Sequence, residues 1–158
     1  MSTKLQAAVR PAVLFIIAYL LTNIVNSAVT LSYQAIVRLP SADEIGLSWL
    51  KDPAYQATVP WHALISFVIF VCTALWLNHH HAKASAWRVG SAWALTAIVI
   101  DAIVYVGILG STRWGLPPSD YYIGNQPWIT LTYLGLLLAP VTARLIKLRG
   151  TTQRPSLT

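Results

Sequence analysis

Four long apolar stretches limit what this chain can fold into. They cover residues 11–37, 61–77, 89–110 and 128–143, and Asp101 is the only aspartate, glutamate, lysine or arginine within them. About 20 apolar residues of helix cross a hydrocarbon core of about 30 Å. Backbone groups in lipid must be hydrogen-bonded within their own segment, which favours helices. The sequence therefore predicts an all-α membrane protein, a bundle of four transmembrane helices.

Composition agrees with a chain whose surface faces lipid. Hydrophobic residues make up 56% of the sequence and charged residues 10%, whereas a soluble domain carries about 25% charged residues. We expect one transmembrane domain over residues 1–149 and a disordered cytoplasmic tail over 150–158. The expected partner is the lipid bilayer. Nucleic acid is not expected, because the basic residues follow the ends of the apolar stretches and form no patch interleaved with aromatics.

The distribution of basic residues predicts the orientation in a cell membrane, the inner membrane if the source is bacterial. Lysine and arginine are enriched in cytoplasmic loops. One side would carry eight of them and the other three, which places both termini in the cytoplasm. The eight are Lys4, Arg10, Lys83, Arg88, Arg144, Lys147, Arg149 and Arg154, and the three are Arg38, Lys51 and Arg113.

Two longer connections would then lie outside. In the first, Ser41 and Glu44 have the spacing of a capping box, in which each side chain satisfies a backbone N–H at a helix start. We expect a short helix here that lies on the membrane surface and ends before Pro53. The second, with Pro117-Pro118 and Tyr121-Tyr122, is rich in turn formers and is expected to fold back over the end of the bundle.

The tryptophans and the single cysteine are expected to have structural roles. Tryptophan is enriched at membrane interfaces, where the ring lies among headgroups. We expect Trp49, Trp61, Trp114 and Trp128 at the outer boundary and Trp76, Trp87 and Trp93 at the inner one. Cys72 lies in an apolar run and is expected to be a small buried residue.

Asp101 is the residue that most indicates a function. A charged aspartate at the bilayer centre costs about 2.5–3.5 kcal/mol on insertion scales, and no lysine or arginine lies in the predicted spans to pair with it. It is expected either to be protonated or to face a water-filled cavity, and both suit a proton or cation site. A structural alternative is that Asp101 only bonds Asn23 or Asn26 and fastens the helices together.

Polar residues on the other spans are expected to surround this carboxyl group. Residues three or four apart share a helix face, and a polar face in a membrane packs on other helices or water. Most of these residues fall in the outer half, so we expect a pocket that opens outward and ends near Asp101. The predicted ligand or proton site comprises Asp101, Asn23, Asn26, Tyr105, Thr30, Ser66, His62 and Tyr133.

No cofactor, metal site or catalytic set is predicted. His62 is alone among the apolar stretches, whereas catalytic zinc takes about three protein ligands. His79, His80 and His81 are consecutive, so on a helix they would point in different directions. A membrane aspartyl protease needs two carboxylates that share a proton, and the spans offer only Asp101.

Three functions fit these observations. The first is a small transporter or ligand-binding membrane protein that uses Asp101 as a protonatable site, with a homodimer or partner subunit to complete a pathway. The second is an accessory, assembly or immunity-type protein that acts through helix contacts. The third is a lipid-modifying enzyme with its site at the outer rim, which would use His62 or Asp120.

Overall fold

The computed structural model describes residues 3–80, 85–109 and 117–152 and is helical throughout, without a strand in these ranges. Five α-helices follow one another, with a 3₁₀ turn at Trp49–Lys51 and a π-helical segment at Ala102–Ile108. The helices are α1 (Thr3–Val37), α2 (Pro53–His80), α3 (Ala86–Asp101), α4 (Pro118–Tyr122) and α5 (Trp128–Thr152).

Four of these elements are long and apolar enough to cross a membrane. They are Val9–Val37, Pro53–Asn78, Ala86–Ile108, which joins α3 to the π segment, and Trp128–Arg149. The predicted number of spans and their helical structure are confirmed, and they are those of a multi-pass membrane protein. The last helix continues through Thr152, and 153–158 lie outside the described residues, so the disorder of the tail stays a prediction.

Local chemistry determines where α1 ends and α2 begins. Arg38 follows α1 with a φ of 58°, and the Leu39 N–H donates to the Gln34 carbonyl at 3.1 Å. A residue in the left-handed conformation, followed by an N–H that donates to a carbonyl in the last turn, is a common way for a helix to end. Asp52 then caps α2, because its carboxylate accepts the N–H groups of Ala54 and Tyr55 at 2.8 and 3.1 Å. The second span therefore begins eight residues before the predicted start at residue 61.

The predicted surface helix after Ser41 does not form. The capping box is present, with the Ser41 N–H donating to Glu44 at 2.8 Å and the Glu44 N–H donating to Ser41 at 3.3 Å. However, Gly46 has a φ of 69°, and the Leu47 N–H closes back onto the Ala42 carbonyl at 2.9 Å. Glycine accommodates this left-handed conformation at little cost, so the chain reverses after one turn.

Beyond this turn the chain enters the bundle. Leu50 is 4% exposed and packs with Tyr121 and Ile129. The second connection also folds inward, because Tyr121 of α4 is 6% exposed and stacks on Tyr105. The predicted return of this connection over the end of the bundle is confirmed. We call this end, which carries residues 38–52 and 117–127, the loop end.

The long helices pack in the order α1, α2, α5, α3 around the bundle, since α2 contacts both α1 and α5 and α3 packs mainly on α5. At Gly90 the backbones of α3 and α5 lie close together. A Cβ atom built on Gly90 would collide with the carbonyl oxygen of Leu137 and lie 2.9 Å from its carbonyl carbon. Gly90, Ala97 and Asp101 are all buried, so the face of α3 that carries Asp101 is its packed face.

An apolar core fills the end of the bundle opposite the loop end. Phe15, Phe70 and Trp93 form its centre, with ring centroids 5.4–6.4 Å apart and exposures of 1–2%. Trp93 is therefore not the interfacial anchor that the sequence predicts. Its indole N–H donates to the Pro11 carbonyl at 3.2 Å, which satisfies the one polar group that would otherwise favour the interface.

Cys72 is also placed differently from the prediction. It is exposed on the outside of α2, whereas its neighbour Val71 belongs to the core. An apolar run identifies a span but not its inward side, because both lipid and core favour apolar residues. Trp61, Trp76 and Trp87 are exposed on the bundle surface, and Trp114 lies outside the described residues.

Replacing Asp52 with alanine is expected to lower the free energy of unfolding by about 0.5–2 kcal/mol, the range for loss of a helix N-cap. The carboxylate also accepts the Ala42 N–H at 2.8 Å, so the first connection should loosen with the helix start. Reversible unfolding in micelles measures the change. Asp52→Asn is the control, since asparagine caps nearly as well, and equal losses in both variants would contradict the capping role.

Candidate functional site

A cavity of about 550 Å³ lies between the apolar core and the loop end. Residues from all four spans line it, and Leu136, Ala97 and Phe70 close it toward the core. Trp49 and Asp52 of the first connection and Asn125 of the second lie at its other end. The volume is in the range of about 300–1,000 Å³ that is typical of small-molecule sites.

All eight residues of the sequence-predicted site line this one cavity. Four helices and the π segment contribute them, at different depths between the core and the loop end. They are Asn23, Asn26 and Thr30 on α1, His62 and Ser66 on α2, Asp101 on α3, Tyr105 on the π segment and Tyr133 on α5.

Asp101 lies at the core end of the cavity and is 7% exposed. It faces the bundle interior, where the phenol of Tyr19 on α1 donates to Oδ1. The phenol of Tyr133 on α5 donates to Oδ2 at 2.6 Å, a separation typical of a charge-assisted O–H···O bond. Each carboxyl oxygen thus accepts from a different helix, and the two bonds connect α1, α3 and α5 at one level.

Tyr121 adds a third phenol near Asp101 from the loop end. Burial, and then the nearby carboxylate, raises the pKa of Tyr121 above its ordinary value. Its hydroxyl therefore keeps its proton and remains available as a hydrogen-bond donor. The carboxyl group is enclosed by hydroxyl donors and not by cations, because no lysine or arginine is among the described residues that line the cavity.

The backbone changes directly after Asp101, where Ala102–Ile108 adopt π-helical geometry. The segment closes with the Leu109 N–H donating to the Val104 carbonyl at 2.8 Å, a step of five residues. π-helical turns are rare and are frequent at functional sites. Here the wider turn carries Tyr105, whose phenol donates to Asn23 Oδ1 at 3.4 Å.

Asp101 does not bond Asn23 or Asn26, the partners that the structural alternative predicted; its bonds come from Tyr19 and Tyr133. Asn23 donates to the Tyr19 carbonyl at 2.8 Å, one turn earlier in its own helix. Asn26 lies at 3.5 Å from the Ser66 hydroxyl on α2. The tyrosines occupy the positions at Asp101 because a phenol reaches farther from its backbone than an amide does.

A second polar group lies nearer the loop end, between α1 and α2. The Thr30 hydroxyl is 3.0 Å from His62 Nε2 and 2.9 Å from the Thr58 hydroxyl. Ser66 donates to the His62 carbonyl at 2.6 Å, so its hydroxyl is engaged by its own helix. The histidine ring is therefore bonded by the Thr30 hydroxyl and is not paired with a carboxylate, which argues against a Ser–His–Asp catalytic set.

Aromatic rings form a continuous side of the cavity, which we call the aromatic wall. It consists of Tyr121, Tyr105, Trp49 and Tyr55, with successive ring centroids 5.4, 5.8 and 5.4 Å apart. The Tyr55 hydroxyl is fixed by Asn125, whose amide donates to it at 3.0 Å. All of these residues line the cavity, so the two connections complete a site that the spans begin.

Of the wall residues, only Tyr105 belongs to the site predicted from the sequence. Tyr55 lies before the predicted start of the second span, and Trp49 has the position of an interfacial anchor. A signal was nevertheless present in Asp52-Pro53, since an N-cap residue before proline is typical of a helix start. That start would have moved Tyr55 into the span. Tyr19 was also missed, although it lies one helical turn before Asn23 on the polar face of α1.

The two residues named in the enzyme hypothesis lie in different environments. His62 lines the cavity, whereas Asp120 is exposed on α4 and is not among the lining residues. Within residues 3–80, 85–109 and 117–152 no three histidine, cysteine or acidic side chains are grouped as a metal would require. The side chains of His79–His81 lie outside the part of the chain that is described.

No protein-family model matches the chain, and neither the curated proteins nor the solved structures give a match.

Proposed function

We propose that this chain is a small multi-pass membrane protein that binds a small molecule in the cavity, with Asp101 as a protonatable site that links binding or transport to a proton or cation. The observation that carries the proposal is the placement of Asp101. A buried carboxyl group lies at the closed end of a cavity of ligand size, and no lysine or arginine is among the described residues that line it. Ionisable residues at such positions in membrane proteins mark substrate, ion or proton pathways.

The orientation is part of the proposal. The excess of lysine and arginine around the other end of the helices supports a loop end outside the cell membrane and both termini in the cytoplasm. The cavity would then open toward the outside, and the apolar core would separate Asp101 from the cytoplasm. A change between two conformations, within a homodimer or with a partner subunit, would be required for transport through a chain of this size.

Water access is the first test of the proposal. In a Cys72→Ala background, a single cysteine at Thr30 is expected to react with a membrane-impermeant maleimide added from outside, because a thiol must meet water to ionise. A cysteine at Ser66, which lines the same cavity but is only 2% exposed, should react more slowly. Ala139→Cys is the matched control, since Ala139 has no exposure and belongs to the apolar core. Absence of labelling at both cavity positions would sink the proposed outward-facing pocket.

Titration of Asp101 is the second test. Infrared difference spectra recorded across a pH series are expected to show one carboxyl band in the wild type that is missing in Asp101→Asn. Asparagine keeps an oxygen that accepts one phenol bond, so folding should be retained while the proton site is lost. Identical spectra in both proteins would show that Asp101 does not exchange protons.

The accessory function keeps one specific observation in its favour. The bonds from Tyr19 and Tyr133 join three helices at Asp101, which is also what a purely structural clasp would do. In that case Asp101→Asn preserves the cellular function, because the amide maintains hydrogen bonding without titration. Under the ligand-binding proposal the same variant abolishes it.

A further inference from the structure

We infer that the ligand of this cavity is an organic ammonium cation with an apolar body. The inference rests on the proposed function, namely that the cavity holds a small molecule, and it names the chemical class. Three independent features of the lining support it: the charges, the aromatic wall, and buried acceptor atoms without a partner.

The charges of the lining favour a cation. The two acids among the lining residues are Asp101 at the core end and Asp52 near the loop end, and lysine and arginine are absent from the described lining. Asp52 is engaged by backbone N–H groups. Asp101 is bonded by the phenols of Tyr19 and Tyr133 and lies near a third, that of Tyr121, yet a carboxylate offers about four acceptor positions. It therefore keeps capacity for an ammonium N–H.

The aromatic wall supplies faces for the same cation and for its apolar part. A cation within about 6 Å of an aromatic ring centroid is attracted by the electron-rich face, by about 2 kcal/mol or more where water is excluded. Tyr105 and Trp49 are adjacent rings of the wall and both line the cavity, so a cation bound beside them would lie next to two aromatic rings. The same rings pack equally well on a hydrocarbon or aryl group, so one wall can hold both ends of an amphiphilic amine.

Two buried oxygens in the lining have no hydrogen-bond partner among the described residues. They are Thr22 Oγ1 and Asn26 Oδ1 on α1. Buried polar atoms in folded proteins are nearly always paired, so such exceptions require an explanation. An amide oxygen only accepts, and the ligand that satisfies it must carry an N–H or O–H donor. An ammonium group supplies donors and charge together.

The other ligand classes fit less well. An anion would meet two carboxylates and no lysine or arginine in the described lining. An uncharged apolar molecule would cover Asp101 and Asn26 without providing donors, and buried groups left unpaired in this way cost about 1–3 kcal/mol each.

Three probes that differ mainly in the terminal group test the inference: 4-phenylbutylamine, 4-phenylbutanol and 4-phenylbutyrate. Their binding to the full chain in lipid nanodiscs is measured by calorimetry, with empty nanodiscs to subtract partition into lipid. The amine is expected to bind about tenfold more tightly than the alcohol, and the butyrate more weakly than either. In Asp101→Asn the affinity for the amine should fall by about tenfold, whereas that for the alcohol should change little.

The outcomes separate the inference from the proposed function. If the alcohol or butyrate binds as tightly as the amine, the cavity is a ligand site but not a cation site, and the inference is overturned alone. If the preference for the amine persists in Asp101→Asn, Asp101 is not the counter-ion and the inference is again overturned. If no probe binds, the inference fails, and labelling at Thr30 and Ser66 decides whether the proposed pocket fails with it.

Discussion

Replacing Gly90 with alanine is expected to destabilise the bundle by up to about 2 kcal/mol, because overpacking costs about 1–3 kcal/mol and the higher helix propensity of alanine returns about 1 kcal/mol. The new methyl group would collide with the carbonyl oxygen of Leu137, and its carbonyl and α-carbons lie only 2.9 and 3.2 Å from the methyl position. Backbone atoms cannot rotate away as a side chain can, so α3 and α5 would have to separate.

Gly135→Ala is the matched control for this substitution. A methyl group there would lie 3.5 Å from the Phe67 Cβ atom, which is an ordinary contact distance. The variant should therefore gain stability from the higher helix propensity of alanine without a clash. Equilibrium unfolding of both variants in the same micelles gives the comparison. If Gly90→Ala proves as stable as Gly135→Ala, α3 and α5 are not packed as closely as the structure places them.

Removing both phenol hydroxyls at Asp101, in the double variant Tyr19→Phe and Tyr133→Phe, is expected to destabilise the protein by about 3 kcal/mol or more. Hydrogen bonds to charged groups contribute about 1.5–3 kcal/mol each, and each phenol donates to a different oxygen of this buried carboxyl group. Neutral side-chain bonds within membranes average only about 0.6 kcal/mol. The size of the loss therefore reports whether Asp101 is charged in the folded bundle.

Two comparisons make this result specific. Tyr33→Phe removes a phenol from a tyrosine that is 37% exposed at the end of α1 away from Asp101, and it should change stability little. The double phenylalanine variant combined with Asp101→Asn should lose less than the double variant alone, because an amide is less costly to leave unpaired than a carboxylate. A loss of about 1 kcal/mol in the double variant, unchanged by Asp101→Asn, would contradict a charged Asp101.

The location of the cavity was predictable in part because the spans are long and their polar residues recur on one face. Asn23, Asn26 and Thr30 are three or four residues apart on α1, and Asp101 and Tyr105 are four apart. Such spacing restricts which residues can lie together on one helix face. It does not specify which donor reaches which acceptor, and the phenols of Tyr19 and Tyr133 bond Asp101 where the sequence suggested the amides of Asn23 or Asn26.

The two connections show the limit of local patterns more clearly. Ser41 and Glu44 form the expected capping box, but Gly46 closes the turn and directs Leu50 into the bundle. Trp93 and Cys72 exchange their expected environments, since Trp93 is buried against Pro11 and Cys72 is exposed. In each case an apolar or amphipathic residue is stable both against lipid and in the core, so the packing of the helices determines which environment it occupies.

The sequence by itself determined the class of protein. Four charge-poor stretches of about 20 residues are long enough to cross a bilayer, and in a bilayer a helix bonds every backbone group within its own segment. The sequence also singled out Asp101, since an unpaired carboxyl group in such a stretch is costly. The tertiary structure decided what surrounds that group. Two phenols from separate helices, an aromatic wall completed by both connections, and the contact of Gly90 with Leu137 all join residues far apart in the chain. No periodicity encodes such contacts, because they depend on how the helices pack against one another.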